Sequence, residues 1–361
     1  MMNRVLVAMS GGVDSSVTAY LLLRQGYECI GVTMKLFGGE DPEQESSCCS
    51  LSDVEDAKSV CRRLGIPHYT FNFTREFEET VMAPFVRSYE RGMTPNPCIE
   101  CNRHLKFERL YQRALELGCD YIATGHYASI KKAGDGTLQL IKAVDPGKEQ
   151  SYVLYNLTQE LLAHTLFPLG GMRKEEVRKI AEEQGFPNAR KHDSQDICFV
   201  PDGDYAGFIE RYTGRQFPPG DVLDTKGEKL GRHRGIIHYT VGQRKGLGLA
   251  LGEPMYVRRV NAEDNTVILC RKDEVFSDQV YAENLNWIPG DIPKEPLRLL
   301  ARVRYHQKEQ PALVFFEPGG RIRAEFDSPQ RAVTPGQSIV FYDGEYVLGG
   351  ATITDMNSTH A

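Results

Sequence analysis

From the first residues to about position 199, short apolar runs alternate with amphipathic stretches, the pattern of a parallel sheet with helices packed on its faces. Runs at 5–9, 29–34, 68–73 and 121–124 predict strands, and the periodic stretches 15–25, 53–64, 76–91 and 105–117 predict the helices between them. The second helix is expected to open on a capping box, Ser52-Asp53-Val54-Glu55. Further helices are expected at 159–166, 174–184 and 205–212, after which the texture turns to glycine-rich turns and short alternating runs. Runs at 236–241, 255–260 and 266–270, with an Asp264-Asn265 turn before the last, predict a small β-rich unit. Those at 298–305, 312–316, 321–326 and 338–342, spaced by Pro and Gly, predict a small antiparallel barrel or sandwich. The expected class is therefore α/β: a doubly wound, Rossmann-like parallel-sheet domain at 1–204, a β-rich central domain at 205–275 and a β-barrel at 276–361.

Composition narrows the functional classes. With 41% hydrophobic and 25% charged residues, the chain contains no apolar run near the roughly 20 residues that cross a bilayer, so membrane insertion is not expected. Nine cysteines without a secretory pattern point to a reducing, cytosolic compartment, where closely spaced cysteines serve catalysis or metal binding. A net charge of −6 means that nucleic-acid contact must come from local basic patches. Candidates are Arg232-His233-Arg234, Arg244-Lys245 and Arg302-x-Arg304-Tyr305-His306.

Two kinds of motif carry chemistry. Ser10-Gly11-Gly12-Val13-Asp14-Ser15-Ser16 lies between an apolar strand and a helix. Adjacent glycines let the backbone approach a phosphate, amides and hydroxyls at the helix start donate to its oxygens, and Asp14 is a candidate to help place Mg²⁺. The second motif is Thr94-Pro95-Asn96-Pro97-Cys98-Ile99-Glu100-Cys101-Asn102, expected as a rigid loop that displays two thiols. Cys101 is expected at the start of the following helix, where partial positive charge favours the nucleophilic thiolate. Cys198, in Asp193-Ser194-Gln195-Asp196-Ile197-Cys198-Phe199, would by itself read as a core thiol. Cys29, Cys61, Cys119 and Cys270 read as small core residues; Cys48-Cys49 lie in a polar insert, expected as a mobile surface loop, with metal binding or redox activity as the alternative.

The glycine loop resembles the pyrophosphatase-type loop of enzymes that release pyrophosphate and leave AMP on a substrate; it lacks the Gly-Lys-Ser/Thr ending of a Walker loop. That resemblance implies ATP binding by Ala8, Met9, Ser10, Gly11, Gly12, Val13, Asp14 and Ser15, an adenine pocket lined by Met34, and closure by Gly125 of Thr124-Gly125-His126-Tyr127. The order of glycine loop, Pro-Asn-Pro segment, Gly-His-Tyr and Asp-Ser…Ile-Cys-Phe over nearly the whole chain is similar to that of the tRNA-specific 2-thiouridylases. In that family Cys101 would be the nucleophile and Cys198 the persulfide carrier, with a Cys101–Cys198 disulfide left after sulfur transfer.

One departure from the family pattern is Cys98, where many members have Asp. With Cys101 and Cys198 it offers three thiolates to a [4Fe-4S] cluster, which would deliver sulfur without a disulfide cycle, or to Zn²⁺ with one ligand missing. The resemblance also implies tRNA contacts through Lys148, Glu149, Gln150, Tyr305, His306, Gln337 and His126. It places Asn96, Pro97 and Cys98 against a flipped base, the wobble uridine in the anticodon stem-loop of tRNAs for Lys, Glu and Gln. The implied partner is a sulfur donor, either a cysteine desulfurase or a relay protein. Two rival readings remain: another AMP-forming ligase or amidating enzyme of the argininosuccinate or NAD synthase type, which needs no paired thiols, and a non-catalytic RNA-binding protein on an ATP fold.

Overall fold

The computed structural model describes residues 3–37, 51–193 and 197–355, so the Cys48-Cys49 pair and Ser194, Gln195 and Asp196 lie outside the described residues. The chain begins β1 (Arg4–Ala8), α1 (Val13–Arg24), β2 (Glu28–Lys35), α2 (Leu51–Leu64) and β3 (His68–Asn72). There follow α3 (Thr74–Phe77), α4 (Ala83–Glu90), α5 (Pro97–Glu100), α6 (Leu110–Glu116) and β4 (Tyr121–Ala123). Ser52 lies within α2 rather than capping it. π-helical turns at Glu78–Met82 and Cys101–Arg109 join α3 to α4 and α5 to α6, so residues 97–116 form one continuous helix.

Next come the hairpin β5 (Ala128–Lys132) and β6 (Leu138–Lys142), α7 (Gln159–Ala163), β7 (Thr165–Leu166), α8 (Lys174–Glu183) and α9 (Tyr205–Thr213). The parallel sheet runs β3-β2-β1-β4-β7. Val5, Leu6 and Val7 of β1 are fully buried, as a strand covered on both faces requires. The helix expected over 159–166 stops at Ala163 because Thr165 and Leu166 pair with Ile122 and Ala123 at the sheet edge.

The central sheet, ordered β10-β11-β8-β9, is built from β8 (Gly220–Leu223), β9 (Lys229–His233), β10 (Tyr256–Asn261) and β11 (Thr266–Cys270). Asn265 takes the left-handed conformation in the expected turn before β11. The strand expected at 236–241 is instead a 3-10 turn, Ile236–His238, in which consecutive residues Ile236 and Ile237 are both buried; a strand covered on one face would bury alternate ones.

The last unit comprises β12 (Phe276–Trp287), β13 (Leu297–Arg302), β14 (Gln310–Glu317), β15 (Arg321–Arg331), β16 (Ser338–Asp343) and β17 (Tyr346–Ile353). They pair in the order β12-β15-β14-β13-β16-β17, and β17 pairs back onto β12, closing a six-stranded antiparallel barrel around Val280, Val314, Ile322 and Phe341. The β5–β6 hairpin leaves the first domain's sheet and joins this one: Tyr346 and Val347 of β17 pair with Ile141 and Leu140 of β6. Among the described residues no helix is long and apolar enough to cross a membrane.

Candidate active site

The carboxyl ends of β1, β2 and β4 meet where an open parallel sheet commonly binds its ligand. Ala8 ends β1, and Met9 is tied into β2 by its amide to the Val32 carbonyl at 2.7 Å and by its carbonyl, which accepts from the Thr33 hydroxyl at 2.8 Å. Gly11 adopts φ +75°, and a Cβ there would lie 2.4 Å from the Asp53 carbonyl oxygen, so only glycine fits. Gly12 is the N-cap of α1 and, having no side chain, supplies no cap to the helix-start amides. The hydroxyls of Ser15 and Ser16 donate to the Gly12 carbonyl at 2.9 and 3.0 Å. Gly125 is pressed against the same helix start: a Cβ would lie 3.0 Å from the Ser15 nitrogen and from Asp14 carbons. Half-buried Met34 lies near the end of β2, in register with Phe71 of β3.

Asp14 sits at the centre of a charge network. Its carboxylate accepts from Lys174 Nζ at 2.7 and 2.8 Å and from the Tyr127 hydroxyl at 2.8 Å. Burial, followed by Asp14 itself, pushes the Tyr127 phenol far up, so it remains a donor. Lys174 also reaches Asp193 at 2.7 Å, and Asp193 accepts from Lys148 at 2.6 Å and Arg178 at 3.2 Å. Burial opposes the Asp193 charge, but hydrogen bonds from Lys148 and Lys174 outweigh it and hold the carboxyl below its usual range. Lys191 bridges Asp53 and Asp56 of α2 at 2.6 Å each.

The thiol segment departs from expectation. Residues 97–100 are helical, not loop; Asn96 is the N-cap, its side chain accepting from the Cys98 amide at 3.2 Å, with Pro97 in the first turn. Exposed Cys98 therefore occupies the helix start, and buried Cys101 lies one turn further in, beyond the strongest reach of the helix dipole. Cys101 belongs to an apolar cluster with Phe77, Phe85, Leu105 and Phe199, and half-buried Cys198 and Met34 pack against that cluster. Among the described residues no three His, Cys, Asp or Glu side chains are gathered as a metal requires, so Cys98, Cys101 and Cys198 do not form a cluster-binding set in this arrangement.

Of the residues expected to touch tRNA, Glu149, Tyr305 and Gln337 line the seam with the barrel. Glu149 forms an ion pair with Arg302 at 2.8 Å, and its backbone carbonyl accepts from the Tyr305 hydroxyl at 3.0 Å. Gln150 accepts from the Tyr127 amide at 2.9 Å. Gln337 donates to the Thr94 carbonyl at 2.7 Å, propping the Pro-Asn-Pro segment on the barrel beside a cavity of about 180 Å³. His306 is exposed and packs edge-on against Tyr305, whose phenol is pushed up first by burial, then by Glu149, with Cys98 among the charges that raise it. Arg302 and Arg304 do not form the basic face expected of them: Arg302 is buried, and Arg304 donates to the carbonyls of Val241 and Ala332. Arg232, Arg234, Arg244 and Lys245 are exposed, whereas His233 is buried and bonds Asn265. His126 is buried, bonds Thr124 at 2.7 Å and lies between Phe107 and Phe167. Burial, then Lys106, lowers its pKa well below normal, so it is neutral.

Residues 3–202 match the family described as the tRNA methyl transferase HUP domain, 206–271 its PRC-barrel domain and 277–353 the aminomethyltransferase beta-barrel domain. A tRNA-specific 2-thiouridylase of Acetivibrio thermocellus is 54% identical over 97% of this chain and 99% of its own. Those of Lachnoclostridium phytofermentans and Clostridioides difficile are 51% and 49% identical, each over 98% of this chain, covering 99% and 98% of their own. The chain belongs to the tRNA-specific 2-thiouridylase family. A solved 4-thiouridine synthetase–RNA complex with bound ATP aligns at a TM-score of 0.37 and 17% identity, over 58% of this chain and 50% of that one, too slight a likeness to carry an argument.

For a 2-thiouridylase, the residues that motif reading passed over are those holding its loops. Lys174 and Asn188 reach the glycine loop from far along the chain, Asn188 donating to the Gly11 carbonyl at 2.8 Å and the Ser16 hydroxyl at 2.9 Å. No local spacing marks either one. Tyr127 was within reach, since it completes the Gly-His-Tyr motif.

Proposed function

We propose that the chain is a tRNA-uridine 2-sulfurtransferase that consumes ATP and converts the wobble uridine of tRNAs for Lys, Glu and Gln to 2-thiouridine. The observation that supports it most is the packing of Cys101, Cys198 and Met34 on one apolar cluster at the carboxyl edge of the sheet that carries the glycine loop, in a chain about half identical to 2-thiouridylases along its whole length.

The helix-start amides of α1 hold the phosphates, and Met34 and Gly125 flank the nucleotide. Asp14, a hard oxygen donor, would hold Mg²⁺, which neutralises phosphate charge. The uridine C2 oxygen attacks the α-phosphorus, pyrophosphate departs with the electron pair of the broken P–O bond, and the N3 proton passes to water. A persulfide on Cys198, loaded by a cysteine desulfurase or a relay protein, attacks C2 and expels AMP. The Cys101 thiolate then attacks the Cys198 sulfur, leaving sulfur on the base and a Cys101–Cys198 disulfide for an external thiol to reduce.

The test is nucleoside mass spectrometry of unmodified tRNA incubated with ATP, Mg²⁺, a persulfide donor and iron-free protein. 2-Thiouridine from the wild type but not from Cys101→Ser or Cys198→Ser supports the two-cysteine route. Product only after iron reconstitution would replace it with the cluster route, and activity surviving the double substitution would favour another AMP-forming ligase.

A further inference from the structure

We propose that Cys98 is the thiol that clears the disulfide left after sulfur transfer, passing it from the enclosed Cys101–Cys198 pair to a Cys98–Cys101 pair at the surface. This step rests on the two-cysteine route above and returns the enzyme to its starting state.

Access sets the need for it. Cys101 is 7% exposed and packs in one cluster with Phe77, Phe85, Leu105 and Phe199, and half-buried Cys198 packs against the same cluster. A bond between the two is enclosed by apolar side chains, yet exchange requires an attacking sulfur to reach one of its two sulfurs. An external thiol is reactive as a hydrated anion and would have to shed that water to enter. Cys29, Cys61, Cys119 and Cys270 are buried in other parts of the core. Among the described cysteines, Cys98 is the exposed one.

Position suits it to the task. The continuous helix that starts at Pro97 carries Cys98 and Cys101 three positions apart. That spacing puts their Cα atoms about 5 Å apart, inside the roughly 4.4–6.8 Å that a disulfide spans. Asn96 accepts from the Cys98 amide at 3.2 Å and Pro97 fixes the first turn, so the two thiols are held at this spacing before any reaction. Cys98 lies in that first turn, where helix-start amides favour a sulfur anion.

The exchange balances. The Cys98 thiol gives its proton to water, and its sulfur attacks the Cys101 sulfur. The Cys98–Cys101 bond forms as the Cys101–Cys198 bond breaks, and the electron pair leaves with Cys198 as a thiolate that can be loaded with sulfur again. An external thiol then attacks the exposed Cys98 sulfur and expels the Cys101 thiolate, and a second external thiol releases Cys98. Two external thiols are thus oxidised to one disulfide for each uridine converted.

Disulfide mapping after one turnover of the full-length chain tests this. Iron-free protein is treated with a persulfide donor, mixed with unmodified tRNA, ATP and Mg²⁺ without reductant, quenched with N-ethylmaleimide and digested with trypsin. Cys98 and Cys101 share the peptide spanning residues 92–103, so a bond between them appears as one peptide with two unlabelled cysteines, while Cys198 is labelled on another. The wild type is expected to give that pattern as its main oxidised form. Cys98→Ser is expected to give a linked Cys101–Cys198 pair, which glutathione reduces at least about 10-fold more slowly than the wild-type bond. A wild-type disulfide that stays between Cys101 and Cys198 with Cys98 labelled, or equal reduction rates in the two proteins, would overturn the proposal and leave the two-cysteine route standing. The wild-type map decides even if the Ser variant does not fold. No 2-thiouridine, or 2-thiouridine formed without any disulfide in the wild type, would overturn the two-cysteine route, and this proposal with it.

Discussion

Glu149 and Arg302 face each other at 2.8 Å across the seam between the nucleotide domain and the barrel, each side chain about 10% exposed. The Arg302 guanidinium also lies 5.1 Å from the ring centres of Tyr152 and Tyr342. Removing one member of so enclosed a pair strands the other charge, at a cost of about 3–5 kcal/mol. Glu149→Gln and Arg302→Met should each lower the thermal midpoint clearly, and the double variant should fall well short of the sum. Additive losses in a thermal double-mutant cycle would show that the two side chains act independently.

Cysteine reactivity should divide by burial. Desolvation pushes Cys29, Cys119 and Cys270 up to about 11 and Cys61 up to about 12, so at pH 7.5 these thiols are almost wholly protonated. Iodoacetamide followed by peptide mass spectrometry should find them unlabelled in the native chain, while exposed Cys98 is alkylated early. Early labelling of Cys61 would contradict its placement against Gly31 in the core.

Glycine geometry sets the ATP loop apart from its neighbour. Gly11→Ala meets the Asp53 backbone at 2.4 Å in a left-handed conformation and should cost several kcal/mol as well as ATP binding. Gly125→Ala meets Asp14 and Ser15 at 3.0 Å, a gap that a few tenths of an ångström relieves, so the fold should survive with a raised KM for ATP. Unfolding of both variants to the same extent in urea would show that Gly125 is a packing residue.

His126 is buried neutral, and burial also lowers the pKa of His68 and His238. For a histidine depressed in the folded state, the unfolded chain binds more protons below its own pKa of about 6.5, so stability is full above that pH and declines as the medium becomes more acid. His104 works the other way: hydrogen bonds to Glu100 and Glu108 outweigh burial and raise its pKa, and its contribution is lost as pH rises. Replacing His126 with Gln should flatten the fall in thermal midpoint between pH 6.5 and 5. An unchanged slope would mean that His126 is not the group being protonated.

Much of the first domain was legible because its central strands β1, β2 and β4 are buried runs and its helices are covered on one face, so each leaves a distinct period. The glycine loop was legible for a local reason, the backbone freedom of Gly11. Position 236–241 misled because two adjacent isoleucines and a later valine resemble a strand, while packing buries Ile236 and Ile237 together. Placing Cys101 at the helix start failed because Asn96 and Pro97 begin the helix earlier than the prolines suggested. The β5–β6 hairpin carried a readable Asp135-Gly136 turn, with Gly136 at φ +93°, between runs ending at 132 and beginning at 138. Its destination on the barrel had no local mark, nor had the pairing of Lys174 with Asp14, which depends on chain separated by 160 positions.

Because β6 finishes the edge of β17, the two ends of this molecule share one fabric. A chain ending before the barrel would keep a hairpin whose outer edge had lost its partner, an invitation to sticky self-association. The barrel, for its part, would lose the flank that covers Tyr346 and Val347. Neither half is a detachable accessory, so an insertion or exchange at the central unit must preserve the spacing of that stitch or the halves part.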